Sequence, residues 1–197
     1  MRKIFIAMLL LPFCAQSQLL DSIQLETAYV YTSMEEALKE PYKVYRLHLR
    51  KQKLDSIPAE VFSLPNLQEL DVSKNKISAL PDNIGELQRL QILNISGNNI
   101  EQLPHSIGDL KELKKLFANK NKLASLPARI GDLSNLRMMD LWSNEISYFP
   151  EDLSKLKSLR KLDLRNILIN DATQNKLREW LPNTKIFMDP DCKCAGG

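Results

Sequence analysis

The hydrophobic positions of this chain recur with a period of 23 residues and without drift. Val44, Leu67, Leu90, Leu113, Leu136 and Leu159 open six successive copies of one pattern. Within a copy, apolar residues return at the fourth and sixth places, as in Leu70 and Val72, Leu93 and Ile95, Leu116 and Ala118, and Met139 and Leu141. The alternation from the third to the sixth place predicts a short strand with one buried face. An apolar-proline pair follows in five copies, Ile57-Pro58, Leu80-Pro81, Leu103-Pro104, Leu126-Pro127 and Phe149-Pro150. Proline fixes φ and donates no hydrogen bond, so this segment belongs to a return path outside the strand ladder. Residues such as Ile84 and Leu87, or Ile107 and Leu110, then point back into the core. One copy buries too little apolar surface to offset the entropy of ordering it, so the copies must stack on one shared core. Stacking sets their strands side by side in a parallel sheet, about 4.8 Å apart.

At the ninth place stands an asparagine in four copies: Asn75, Asn98, Asn121 and Asn144. Its side chain is expected to turn inward, where the amide satisfies backbone groups left unpaired by the bend after the strand. Removing such a buried partner costs about 1–3 kcal/mol.

Both flanks break the pattern. Over residues 18–43, Ser33 precedes Met34 to Lys39 with Glu36 three places on, the capping-box spacing of a short helix that Pro41 ends. Leu38 and Val44 are expected to cover the open end of the first copy, making this segment an N-terminal cap. The sixth copy keeps Leu159, Leu162 and Leu164 in register, but Ile167 replaces the asparagine and no apolar-proline pair follows Ile169. Asp171 is expected to cap a helix from Ala172 to Trp180, stopped by Pro182, with Gln174, Lys176, Arg178 and Glu179 on an outer face that seals the stack. Lys185 to Met188 would add a last extended piece. The organisation expected is therefore repeats over 44–169, a C-terminal cap over 170–188 and a flexible tail over 189–197.

The motif L-x-x-L-x-L-x-x-N-x-L, followed by Leu-Pro-x-x-Ile-Gly-x-Leu in Leu80 to Leu87, Leu103 to Leu110 and Leu126 to Leu133, resembles the 23-residue class of leucine-rich repeats. That class occurs in bacterial secreted proteins and in intracellular scaffolds associated with small GTPases. The resemblance covers residues 44 to about 169. It implies an α/β leucine-rich repeat solenoid, a horseshoe with a concave parallel β-sheet and helical caps at both ends, that binds ligands on the concave sheet.

Composition narrows the function. Arg2 and Lys3, the apolar run Ile4 to Phe13 and the small-x-small site Ala15-Gln16-Ser17 read as a signal peptide over residues 1–17. Export to the periplasm, cell surface or medium is expected. Its removal takes the 27 Lys and Arg to 25 against 24 Asp and Glu, a formal charge of about +1. So balanced a chain argues against a nucleic-acid partner, and no other stretch is long and apolar enough to span a membrane. With Cys14 gone, only Cys192 and Cys194 remain, so packing rather than a disulfide framework must hold the repeats. The two histidines, His48 and His105, stand at different places of the repeat, and no phosphate loop, metal-ligand spacing or nucleotide fingerprint occurs. No catalytic residue, metal or cofactor is predicted.

Register assigns the third, fifth, seventh and eighth places of each repeat to the exposed ladder. Four residues there are large and apolar: Ile92, Phe117, Met138 and Trp142. They fall in three successive repeats, which predicts one contiguous apolar patch, the usual mark of an interaction site. Lys115, Asn119 and Asp140 flank it, and Arg46, Arg50, Arg160, Lys161, Arg165, Asp71 and Asp163 form a sign-mixed rim suited to orientation. Asn94-Ile95-Ser96 matches a glycosylation acceptor on the same face, read here as unmodified in a bacterial chain. The expected function is non-enzymatic binding of a protein or peptide by a monomer. Two alternatives stand beside it: carbohydrate binding with Trp142 and Phe117 as stacking platforms, and a thiol or soft-metal function of Cys192 and Cys194.

Overall fold

Residues 19–189 are described by the structure, a computed structural model; the expected leader, the flexible tail after Asp189 and both C-terminal cysteines lie outside the described residues. Each repeat contributes one three-residue strand: β2 (Arg46–His48), β3 (Glu69–Asp71), β4 (Ile92–Asn94), β5 (Lys115–Phe117), β6 (Met138–Asp140) and β7 (Lys161–Asp163). β1 (Val30–Tyr31) and β8 (Lys185–Phe187) extend the sheet beyond the repeats, giving eight parallel strands in chain order. Pairing is like with like: Glu69, Ile92, Lys115, Met138 and Lys161 face one another in turn, so the third place always meets the third place. The strand stops at the fifth place, one residue earlier than the alternation predicts, although the sixth-place side chains remain buried.

An abrupt turn explains the early stop. The eighth residue of every repeat, Lys51, Lys74, Gly97, Lys120, Ser143 and Asn166, has φ between 54° and 66°. Only Gly97 adopts this left-handed conformation without a steric cost. The turn swings the ninth side chain into the core, where it joins two repeats. Asn98 Nδ2 donates to Val72 O of the preceding repeat at 3.1 Å and to Ile95 O of its own at 2.9 Å, while its Oδ1 accepts from Ile77 N at 3.1 Å. Asn75, Asn121 and Asn144 repeat the arrangement. Each asparagine reaches backwards; the first repeat carries Gln52 instead, whose Nε2 donates to Thr32 O of the N-terminal segment at 2.9 Å.

Five-residue 3-10 helices begin directly after the five prolines and form the return side, as in Asp82–Glu86 and Ala128–Asp132. These thin helices pack against one another through the Ile-Gly pairs. A Cβ on Gly131 would collide with the Asp152 carbonyl, and one on Gly85 would sit 2.9 Å from the Ser106 carbonyl. The glycine is thus a spacing device of the return side. Between the two layers runs one core, from Tyr31 to Leu181, of buried leucine, isoleucine and valine.

The ends differ in detail from expectation. α1 (Ser22–Thr27) is started by a capping box that pattern reading overlooked: Asp21 Oδ1 accepts from Ile23 N and Gln24 N, and Gln24 Oε1 accepts from Asp21 N. In α2 (Met34–Ala37), Ser33 Oγ caps Glu36 N as expected, but the Glu36 carboxylate accepts from Tyr29 OH at 2.7 Å. Leu38 does not cover the first repeat; it is 45% exposed, because this single turn buries Ala37 instead. At the other end α3 (Asp171–Trp180) is capped by Asn170, whose Oδ1 accepts from Thr173 N at 2.9 Å, while Asp171 is already helical. Gln174 is buried rather than outward-facing, donating to Ile169 O and accepting from Arg178.

Replacing Asn121 by alanine strips partners from Ile95 O, Ala118 O and Ile100 N at once. Urea unfolding should show a loss of about 1–3 kcal/mol, and a loss below about 0.5 kcal/mol would mean that the amide does not bridge the repeats.

Candidate functional site

On the open side of the sheet, the fifth place proves to be structural. Asp71, Asn94, Asp140 and Asp163 each accept a hydrogen bond from the backbone N–H two residues on, at Ser73, Ser96, Trp142 and Arg165, over 2.9–3.4 Å. These side chains tie the strand end to the left-handed turn that follows. Four of the six repeats therefore spend the fifth place on holding the backbone. The fourth repeat puts Phe117 there, a residue that can accept nothing. Local structure does not ask for that ring.

Phe117 and Ile92 form the floor of a cleft of about 300 Å³. Its far wall is α1, which crosses the amino-terminal edge of the sheet and presents Leu25 and Glu26. Second-place side chains hold this wall down: Leu20 N donates to Gln68 Oε1 at 2.9 Å, and Gln91 Nε2 donates to Leu20 O at 2.9 Å. Arg46 adds bonds from Nη1 to Glu26 O and Ala28 O. Lys114 and Lys115 close the side of the cleft that faces the C-terminal repeats.

Charge on this face is partly spent and partly free. Glu69 is buried beside Arg46, which donates twice to its carboxylate at 2.8 and 3.2 Å, and His48 Nε2 lies 2.6 Å from Oε1. Burial alone would raise the Glu69 carboxyl, but the bonds from His48 and Arg46 outweigh it and hold the group below the usual range. Burial likewise opposes ionisation of Asp163, and the two-pronged contact from Arg165 overcomes it. Asp140 goes the other way. Burial and the nearby Asp163 charge push its carboxyl up, against bonds from the Trp142 amide and Asn119. Two aromatic rings carry cations of the chain itself: Lys120 Nζ stands 4.7 Å from the Trp142 ring centre, and Lys161, Lys185 and Arg165 gather around Phe187 at 5.2, 4.9 and 5.7 Å.

The seven residues singled out from the sequence thus fall into two groups. Ile92, Lys115 and Phe117 meet in the cleft. Asn119, Asp140 and Trp142 form a polar cluster in which Asn119 Nδ2 donates to Asp140 Oδ2 at 2.9 Å. Met138 stands between, paired with Lys115 on one side and Lys161 on the other. Lys115 separates Ile92 from Met138 along the third-place row. Sequence reasoning missed Leu25, the clasp of Leu20 by Gln68 and Gln91, and Phe187. The Asp21-x-x-Gln24 spacing was there to be found; the contacts it leads to were not, because they join residues 48 and 71 positions apart.

Among the described residues no group of three or more His, Cys, Asp and Glu is placed to hold a metal ion, and no helix is long and apolar enough to cross a membrane.

The opposed carboxyls give opposed pH dependences. Glu69 is depressed in the folded chain, so its contribution is present above the unfolded carboxylate range and fades as the pH falls through it. Asp140 is raised, so stability is lost as the pH rises through the range. In urea titrations, the deficit of Glu69→Gln should be largest near neutrality and shrink in acid. For Asp140→Asn, stability relative to the parent should be higher near neutrality than in acid. Parallel pH trends for the two variants would contradict these assignments.

Family comparisons agree with this geometry. Residues 73–187 match the model of a leucine-rich repeat region, and residues 43–100 match a leucine-rich repeat model. No match was found among curated protein sequences. Among solved structures, a leucine-rich repeat protein of Leptospira interrogans superposes with a TM-score of 0.71 at 30% identity, over 83% of this chain and 48% of that one. The chain therefore spans about half the length of that neighbour. Repeat domains of this kind generally mediate protein–protein interaction. With the family pattern running through every strand of the sheet from β2 to β8, the chain belongs to the leucine-rich repeat family.

Proposed function

We propose that this chain is a non-enzymatic binding module that takes a protein or peptide ligand on the concave face of its sheet, anchored in the cleft at Phe117 and Ile92. The observation that carries this reading is Phe117 itself. It occupies the place where four other repeats use Asp or Asn to brace the turn, and it forms the floor of a cleft large enough for an apolar side chain. A half-buried aromatic at such a position gives up local stability for contact area, the usual exchange at interface anchors. Asn119, Asp140 and Trp142 then supply the polar flank. A glycan reading draws on Trp142 as a stacking platform, but Lys120 lies over that ring.

Phe117→Asn separates the roles. Asparagine restores the turn brace toward the residue-119 amide, so thermal and urea stability should hold or rise by about 0.5–1 kcal/mol. Capture of protein partners from cell-surface and extracellular fractions should be lost. A variant that captures the same partners as the parent would overturn the assignment, and sugar binding on a glycan array that disappears in Trp142→Ala would replace it.

We further propose, from the composition of residues 1–17, that the chain is exported and cleaved before Gln18. N-terminal sequencing of the expressed protein should find Gln18 first; an intact Met1 would refute export by this route.

A further inference from the structure

We infer that the amino-terminal edge of the sheet across β5–β8 receives an extended acidic segment of a protein partner, with an apolar side chain of that segment seated in the cleft between α1 and Ile92–Phe117. The inference rests on the reading of the concave sheet as the binding face and names the chemistry of what binds there.

A formal charge of +3 over the whole sequence conceals a segregation. The second and third places of β5–β8 carry Lys114, Lys115, Arg137, Arg160, Lys161 and Lys185. Met138 is the apolar member of the third-place row. Among the described residues none of these six cations forms an ion pair. Lys114 donates to the neutral amide of Gln91, Arg160 donates to the carbonyls of Lys157 and Leu159, and Lys161 and Lys185 lie over Phe187. The segments leading into β5–β8 add Lys111 and Lys157 against the single carboxylate of Glu112. The field of Lys161 also reaches Asp140 and Asp163, but those groups lie farther along the strands and brace turns.

Three strand spacings make this strip about 14 Å long, the reach of roughly four extended residues. Its cations are exposed or half-buried, spaced along a line and uncompensated, which suits several carboxylates in succession. At the α1 end the strip runs into the cleft of Leu25, Ile92 and Phe117, so an apolar side chain belongs at that end of the ligand. Glu26 on α1 orients the ligand by repelling carboxylates from the far wall.

Nucleic acids and sulfated glycans share the negative charge but not the rest. Successive single-stranded bases need several open aromatic faces for stacking; the Trp142 and Phe187 rings are covered by cations of the chain, and Phe117 alone in the cleft is no run of platforms. A glycan polyanion has no apolar side chain for the cleft.

The test uses a fluorescent synthetic peptide of one leucine followed by glutamates, titrated against the chain by anisotropy. It should bind, while the same peptide with glutamines should not, and raising the salt from about 0.05 M to about 0.5 M should weaken it by about tenfold. The triple reversal K115E/K161E/K185E should weaken binding by at least about tenfold. The neutral triple K115Q/K161Q/K185Q, which guards against misfolding, should fall between. Reversing Lys76 and Lys122, exposed lysines past the turn, should leave binding within about twofold. Equal loss in that control, no binding of the acidic peptide, or equally tight binding of a heparin fragment or single-stranded oligonucleotide would overturn the inference. If the peptide fails while Phe117→Asn still abolishes partner capture, the acidic ligand is wrong and the binding face stands. If the peptide binds through the lysines while Phe117→Asn is silent, the cationic strip stands and the anchor in the Phe117 cleft is wrong.

Discussion

The structure hangs on one amide repeated four times. Asn75, Asn98, Asn121 and Asn144 each satisfy backbone groups of two adjacent repeats from inside the core. A buried amide with two donors and an acceptor is the smallest side chain that can serve both copies at once. It fixes the distance and the register between them. It also requires the left-handed turn one residue earlier, a steric cost that five non-glycine residues accept. Once this bridge is set, the fourth- and sixth-place residues are committed to the core, and the third, fifth and seventh places are left facing outward. The outward ladder is a by-product of the way the inside is hydrogen-bonded.

Not every outward place is equally free. The fifth-place Asp and Asn residues close the turn, so Asp71, Asp140 and Asp163 are first of all parts of the scaffold. Phe117 departs from that use, and the departure coincides with the point where α1 crosses the sheet edge. Beside it, the second- and third-place residues carry the uncompensated cations. A division of labour results in which the carboxyl-terminal ends of β3, β4, β6 and β7 are braced and the amino-terminal ends are open for contact.

The repeat, its register, the buried asparagine and the terminal helix near Trp180 could be read from the sequence because each depends on neighbours about one repeat away, 26 residues or fewer. Ile92, Phe117, Met138 and Trp142 were identifiable for the same reason: period alone says which side faces out. Their grouping was not. Lys115 splits the third-place row, and Lys120 takes the face of Trp142, a contact made possible by the turn geometry rather than by spacing in a pattern. The misread caps have a local cause, since Asn170 and Asp171 are both good capping residues and only the helix start decides between them.

What the chain's sequence determined by itself is the ladder: a 23-residue period leaves one way to stack and one face to expose. What only the tertiary structure decided is how that face is used. The clasp of Leu20 by Gln68 and Gln91 folds α1 over the sheet and makes a cleft out of two ladder residues. The superposition of repeats gathers scattered lysines into an unpaired strip. Both depend on through-space neighbours tens of residues apart, and charge and burial are properties of such neighbourhoods, whereas periodicity is a property of the string.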